Sequence, residues 1–351
     1  MGLGVTELKE FFQGIGEKAY RAQQIYRSIY KHRLADFEAF TDLPKPLRTK
    51  LSEAAVISSQ TIKQVFHSTD GTRRYLIRLV DGREVESVWI PEQERATICI
   101  SSQVGCPLGC QFCLTAQMGL KRHLTIGEIV GQVVLVLRDI YAERQEPDRQ
   151  INIVMMGMGE PLLNYQNVVA AIRLISDQEG LAISTKHITL STAGIVTKIY
   201  DLGKEPIRPK LAISLTGVTD ELRNRLMPIN QRYPLKELIK ACKEFPLRPH
   251  ERITFEYVML DGVTDSKEDA LKLVKLLNGL RAKVNLIPHN PAPELPFKAS
   301  SMKKIVEFQQ ILTTKGLAAF IRRPRGQDIF AACGQLAAKE VEASEFLLKD
   351  F

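Results

Sequence analysis

The sequence predicts an α/β protein: a partial barrel of about six βα units, preceded by an N-terminal helical accessory module and a small antiparallel β extension. Three observations predict it. From Thr97 onward, short β-rich runs alternate with amphipathic helical stretches, the pattern of a parallel sheet covered by helices. Before that, three β-rich runs are joined at Asp70-Gly71 and Asp81-Gly82, dipeptides that supply the positive φ of tight hairpins. Residues 1 to about 60 show helical spacing instead.

Taken in order, the first region predicts helices over Thr6 to Phe12, Lys18 to Tyr30 and a Pro-led stretch from Pro46 to Ala55. Strands follow over Thr61 to His67, Arg73 to Val80 and Arg83 to Ile90, as a meander. The barrel strands are expected near Thr97 to Ser101, Ile151 to Gly157, His187 to Thr192, Lys210 to Leu215, Arg252 to Leu260, Val284 to Pro288 and Leu317 to Arg322. Thr125 and Glu128 make a capping box, after which Ile126, Ile129, Val130, Val133, Leu137 and Ile140 share one helical face. Ser266 caps a second helix, with Ala270, Leu273, Val274 and Leu277 on a face. The expected division is 1–60 helical module, 61–95 β extension, 96–338 catalytic barrel and 339–351 C-terminal tail. Chemistry in such a fold gathers at the C-terminal ends of the strands.

Composition narrows the class. Hydrophobic residues at 44% and charged residues at 25% are ordinary globular values, and no apolar run is long enough to span a membrane. The N-terminus lacks the pattern of an export signal, so a cytoplasmic location is expected. The net charge of +8 suits a polyanionic partner without requiring one. Six cysteines are too few and too clustered for a disulfide scaffold.

Three of those cysteines form Cys106-Pro-Leu-Gly-Cys110-Gln-Phe-Cys113, on a loop directly after the first barrel strand. Three thiolates hold three irons of a cubane cluster and leave the fourth open, whereas a closed zinc site needs four protein ligands. A zinc site completed by His123 is the alternative, and the spacing with Phe112 before the last cysteine fits it less well. Gly157-Met-Gly159-Glu160 ends the second barrel strand, where glycines admit a ligand close to the backbone. Cys99 and Cys333, by themselves, read as ordinary thiols. Cys242 shares a helix face with Leu235, Leu238 and Ile239 and reads as core.

The triplet with its aromatic residue resembles the radical S-adenosylmethionine (SAM) superfamily. Nearly the whole chain resembles its RlmN-like adenine-2-methyltransferases of 23S rRNA and tRNA. The resemblance is carried by Cys99-Ile-Ser-Ser-Gln-Val-Gly-Cys106, Gly157-Met-Gly-Glu-Pro-Leu-Leu-Asn164, Leu190-Ser-Thr-Ala-Gly194, Met227-Pro-Ile-Asn230, Asn285-Leu-Ile-Pro288 and Ala331-Ala-Cys-Gly-Gln-Leu336. It implies a partial (βα)6 radical-SAM barrel, one 4Fe-4S cluster on Cys106, Cys110 and Cys113, and two SAM molecules per turnover. It implies SAM contacts at Gly159, Glu160, Ser191, Ser214, Leu215, Thr216 and Asn290. The family usually carries a His where this chain has Thr216, followed by Gly217, which marks a local departure.

The resemblance also implies a mechanism. Cys333 takes a methyl group from one SAM; the cluster reduces a second SAM to a 5′-deoxyadenosyl radical, which removes a hydrogen from that methyl. The methylene radical adds to adenine carbon 2, Glu86 matches the proton acceptor, and Cys99 attacks the Cys333 sulfur to release the product, leaving a Cys99–Cys333 disulfide. Expected partners are 23S rRNA, tRNA and an electron-donor reductant protein, with no membrane and a monomeric chain. Candidate phosphate contacts are Lys121, Arg122, Arg322, Arg323, Arg325, Arg27, Lys31 and Arg33. Competing readings are a carbon-8 methylating branch, from which Pro161 and Pro288 separate the chain, and a zinc-stabilised RNA-binding protein without catalysis. A methylthiotransferase would need a second cluster, and only Cys99 precedes the triplet.

Overall fold

A computed structural model describes residues 1–58 and 60–338. The expected tail, 339–351, lies outside the described residues. The sheet follows from the β-rich runs. Strands β1 (Thr61–His67), β2 (Arg73–Arg78) and β3 (Glu84–Pro91) form the antiparallel meander, and β3 pairs antiparallel with β4 (Arg95–Cys99). The extension therefore runs straight into the barrel sheet. Gly71 and Gly82 have φ of 83° and 78°, the backbone that Asp-Gly turns supply.

Beyond β4 come β5 (Gln103–Val104) and β6 (Arg122–His123), a short antiparallel pair that the sequence does not predict. Two residues a side are too short to leave a periodic signal. Then β7 (Gln150–Met155), β8 (Ile188–Thr192), β9 (Lys210–Ser214), β10 (Ile253–Met259), β11 (Ala282–Pro288) and β12 (Ala319–Ile321) continue the sheet. All six pairings from β4 to β12 are parallel, in the order β4-β7-β8-β9-β10-β11-β12. Seven parallel strands joined by six helical crossovers make the open (βα)6 barrel, and β1 and β12 are the two edges of the whole ten-stranded sheet.

Burial along these strands alternates. Ile151, Ile153 and Met155 of β7 are buried under the helices, while Asn152 and Val154 face the concave side. The helix Ile126–Tyr141 carries the expected Thr125–Glu128 capping box and buries its apolar face against the sheet. The Ser266 cap is also reciprocal, with Asp269 returning the bond. Cys242 is buried in the core, as its helix face implied.

In the first region, α1 (Val5–Gly14), α2 (Arg21–Tyr26) and α3 (Lys45–Ala54) are helical. The expected single helix from Lys18 to Tyr30 instead passes into a π turn at Arg27–Lys31, with His32 N–H bonded to the Arg27 carbonyl. Tyr26 and Tyr30 pack there against Gly180, where a Cβ would meet both side chains. The widened turn lets both side chains face the barrel. Among the described residues, no helix is long and apolar enough to cross a membrane.

Candidate functional site

The C-terminal ends of the parallel strands surround a cavity that opens to solvent. Its wall combines Cys106, Cys110 and Cys113 with Gly159, Glu160, Ser191, Ser214, Thr216, Asn290 and Cys333. Residues from opposite ends of the catalytic domain meet here because each ends, or lies just past, a strand of the same sheet.

The strand ends are held together by side chains whose polar ends bond neighbouring backbone. Ser101 Oγ donates to the Glu86 carbonyl at 2.6 Å and accepts from Met158 N–H at 2.9 Å. Gln103 Oε1 accepts from Glu160 N–H at 2.8 Å, and the Asn164 amide donates to the Ser102 and Leu124 carbonyls. The Gly159 φ of 103° belongs to this close approach: a Cβ there would lie 2.6 Å from Gln103 Cβ. Glu160 accepts from the Leu162 and Ala193 N–H groups, and burial raises its carboxyl to about 7 against the pull of those bonds.

Arg223 is fully buried. It donates to the carbonyls of Leu215 and Ala193 at 2.9 and 2.6 Å and to Asn230 Oδ1 at 2.8 Å. Burial lowers its guanidinium to about 10. Burial raises the Cys110 thiol, and the charge of Arg223 opposes that rise by favouring the thiolate. Sequence reasoning missed this residue because an Arg on a charged helical stretch reads as a solvated face. It also missed Glu256 and His289, which line the cavity. Glu256 sits in register with Ser214 and Asn285, so strand alternation was the available signal.

The fit to a cluster rests on the donor set. Three thiols from one loop line one cavity, and burial pushes each up, Cys106 to about 12, so they are held as thiols until a cation arrives. Among the described residues, no three His, Cys, Asp or Glu side chains are gathered at metal-ligating range. His123, the fourth ligand of the zinc alternative, instead pairs with Gln103 at 3.0 Å on the β5–β6 ribbon, away from the cavity wall. The fit to SAM rests on the cavity's run of polar strand-end groups and on the buried His289 Nε2, which has no protein partner among the described residues.

Several expected contacts are placed differently. Leu215 is fully buried in the core and does not line the cavity; its N–H and carbonyl are used by Glu256 and Arg223. Thr216, at φ 24°, is buried with its hydroxyl 3.4 Å from Val258 N. Asn290 donates to the Cys333 carbonyl at 3.1 Å and accepts from Gln327, so it clasps the C-terminal segment as well as lining the cavity. Glu86 is buried outside the cavity wall, in an ion pair with Arg74 and accepting from Ala337 N–H at 3.0 Å. Burial raises its carboxyl while Arg74 opposes. Cys333 lines the cavity, Cys99 is buried and near enough for the two thiols to interact electrostatically, and both are free thiols. Burial raises the Cys99 thiol, and the neighbouring Cys333 acts in the same sense.

Half of the candidate phosphate contacts are committed elsewhere. Arg122 pairs with Asp81 and Glu128, Arg33 is buried against backbone carbonyls, Arg27 pairs with Glu179, and Arg325 pairs with Asp70. Short charged segments fold onto neighbouring carboxylates that sequence position alone does not reveal. Lys31, Lys121, Arg322 and Arg323 remain exposed.

Comparisons with known proteins agree with this geometry. The radical SAM superfamily model matches residues 100–274, and the ribosomal RNA large subunit methyltransferase N-terminal domain matches residues 1–57. A probable dual-specificity RNA methyltransferase RlmN from Koribacter versatilis is 48% identical, covering 93% of this chain and 98% of the relative. The dual-specificity RNA methyltransferase RlmN of Parvibaculum lavamentivorans is 50% identical over 96% of this chain and 87% of its own. The crystal structure of a radical SAM methyltransferase from Sphaerobacter thermophilus superposes with a TM-score of 0.92 at 44% identity, covering 96% of this chain and 98% of that one. A triplet-cysteine loop over an open barrel, with a matching N-terminal domain, places this chain in the RlmN family of radical SAM dual-specificity RNA methyltransferases.

Proposed function

We propose that the chain methylates carbon 2 of adenosine in 23S rRNA and tRNA through a methyl group carried on Cys333. The observation that carries this reading is the placement of Cys333 on the wall of the cavity that the three loop cysteines also line, with the buried Cys99 near enough to interact with it. Cys106, Cys110 and Cys113 hold the 4Fe-4S cluster, and Gly159, Glu160, Ser191, Ser214 and Asn290 hold SAM. Cluster and SAM together supply the one-electron chemistry that activates a methyl C–H bond, which an adenine C–H carbon needs because it is not a nucleophile.

The chain's own residues do the rest. The Cys333 sulfur attacks the methyl carbon of SAM, so a sulfur–carbon bond forms as the sulfonium bond breaks. The wall keeps the methylated sulfur beside the cofactor end of the sheet. After the carbon is joined to adenine, Cys99 attacks the Cys333 sulfur and frees the RNA, leaving a disulfide that a reductant must reopen. Glu86 takes the ring proton in this scheme, which requires the Ala337 segment now bonded to its carboxylate to move. The 1–57 module acts as the accessory RNA-binding region, and the chain works as a cytoplasmic monomer with an electron-donor protein.

Nucleoside mass spectrometry of RNA from cells with and without the protein tests the product. Expected is 2-methyladenosine that vanishes with the protein; 8-methyladenosine alone would overturn the carbon-2 reading.

A further inference from the structure

The concave face of the sheet carries charge that the cofactor end does not use. Parallel register puts Lys210 beside Thr189 and Lys283 beside Thr254. Side chains alternate along a strand, so Lys210 shares a face with Ser214, and Lys283 with Asn285. Arg252 shares one with Thr254 and Glu256, and Arg322 with Phe320, the register partner of Asn285. Ser214 and Glu256 line the cavity, which identifies that face as the concave one. Four cations from β9, β10, β11 and β12, or their flanks, therefore stand on one concave surface.

None of these four side chains makes an ion pair or a hydrogen bond among the described residues. Lys210, Arg252 and Arg322 are exposed and Lys283 is half-buried. The carboxylate on the same face, Glu256, is bound by Asn285 Nδ2 at 2.9 Å. Burial, and then the neighbouring Lys210, hold the Lys283 ammonium below its ordinary value; Glu256 opposes, and Arg322 and Arg252 act in the same sense as Lys210. Crowded like charges of this kind destabilise the free protein unless an anion joins them.

We propose that Lys210, Arg252, Lys283 and Arg322 form a track for the phosphate backbone of the RNA, leading along the concave face to Cys333. The track rests on the RNA-methylating reading and specifies where that RNA is held. Lys210 lies four residues before Ser214, roughly 13 Å along the strand. The phosphates next to the target nucleotide thus have cations within reach while the base enters the cofactor end. Basic side chains supply sequence-independent affinity whose signature is salt dependence.

The test uses the full chain with its cluster, a labelled tRNA transcript and fluorescence anisotropy across a salt series. The variant K210Q/R252Q/K283Q should bind RNA at least about tenfold more weakly at low salt. Its slope of log affinity against log salt should fall by roughly 2, at about 0.7 for each single-strand phosphate no longer neutralised. SAM affinity by equilibrium dialysis should stay unchanged, and K210R/K283R should keep wild-type RNA binding. Unaltered RNA affinity and slope in the triple variant would overturn the track while leaving the RNA-methylating reading intact. Parallel loss of SAM binding would also overturn it, assigning the cations to the cofactor. Failure of the wild type to bind any RNA would overturn track and reading together.

Discussion

Cys333 and Cys99 differ in exposure, and their proposed tasks follow from it. The carrier must meet SAM and substrate, and Cys333 lines the cavity; the resolving thiol must reach only the carrier's sulfur, and Cys99 is buried within electrostatic range of it. Cys333→Ala should therefore give no methylated protein and no RNA adduct. Cys99→Ala keeps the carrier but loses the attack on its sulfur, so the chain should remain joined to RNA through Cys333. A denaturing gel followed by nuclease digestion and peptide mass analysis reads both outcomes; turnover by Cys99→Ala with no adduct would sink the two-thiol scheme. Gly105 is a second residue whose role is geometric. At φ 74° a Cβ would stand 1.9 Å from the Gly119 carbonyl oxygen, across the base of the cysteine loop. Gly105→Ala should lower the unfolding free energy by about 1 kcal/mol or more and reduce iron retained per chain, as urea titration and iron assay would register.

The element that brings Cys333 to the cavity is the segment after β12, and it is fastened by the hairpin between β1 and β2. Asp70 accepts from Thr72 and Gly326 N–H groups and pairs with Arg325, while Asp328 accepts from Ser68. Burial alone would raise the Asp70 carboxyl; the bonds from Thr72, Gly326 and Ser68 outweigh it and hold it at about 2. A carboxyl depressed on folding stabilises above its unfolded value of 3.8 and loses that effect as pH falls toward 2. Asp70→Asn should cost about 1 kcal/mol near pH 7, allowing for solvent screening at this partly exposed site. The difference from wild type should shrink between roughly pH 4 and 2, measured by unfolding titrations at each pH. The helix Asp220–Leu226 contributes the buried Arg223. Arg223→Met removes the donor from two buried carbonyls, and the loss expected in chemical unfolding is about 3 kcal/mol. Arg223→Lys should recover only part of it, because an ammonium does not match the planar fork.

For the whole molecule, folding is what gathers the three loop thiols and the strand-end groups on one wall, and metal binding must overcome their burial. Replacing Cys106, Cys110 and Cys113 together with Ala should abolish the visible iron–sulfur absorption and SAM cleavage while the secondary structure by circular dichroism stays near wild type. Retention of a full cluster in that variant would remove the ligand assignment. Folding also decided which charges were available: Arg122 and Arg33, both candidates from the sequence, are consumed by Asp81, Glu128 and the Ala142–Gln145 backbone.

The sequence by itself determined the barrel, because β-branched runs alternate with capped amphipathic helices and each signal is local. It also determined the chemical class, because three cysteines, Gly157-Met-Gly-Glu160 and the Cys333 segment each sit within a few residues of chain. Boundaries were legible to within two or so residues where turns are made by Asp-Gly. Only the tertiary structure decided that Glu86 is paired with Arg74, that Leu215 belongs to the core, and that Asn290 clasps the Cys333 carbonyl. It alone showed the buried Arg223 and the cation row on the concave face. Those facts depend on which strands become neighbours and in what register, and a register is set by contacts between residues far apart in sequence, which no local pattern encodes.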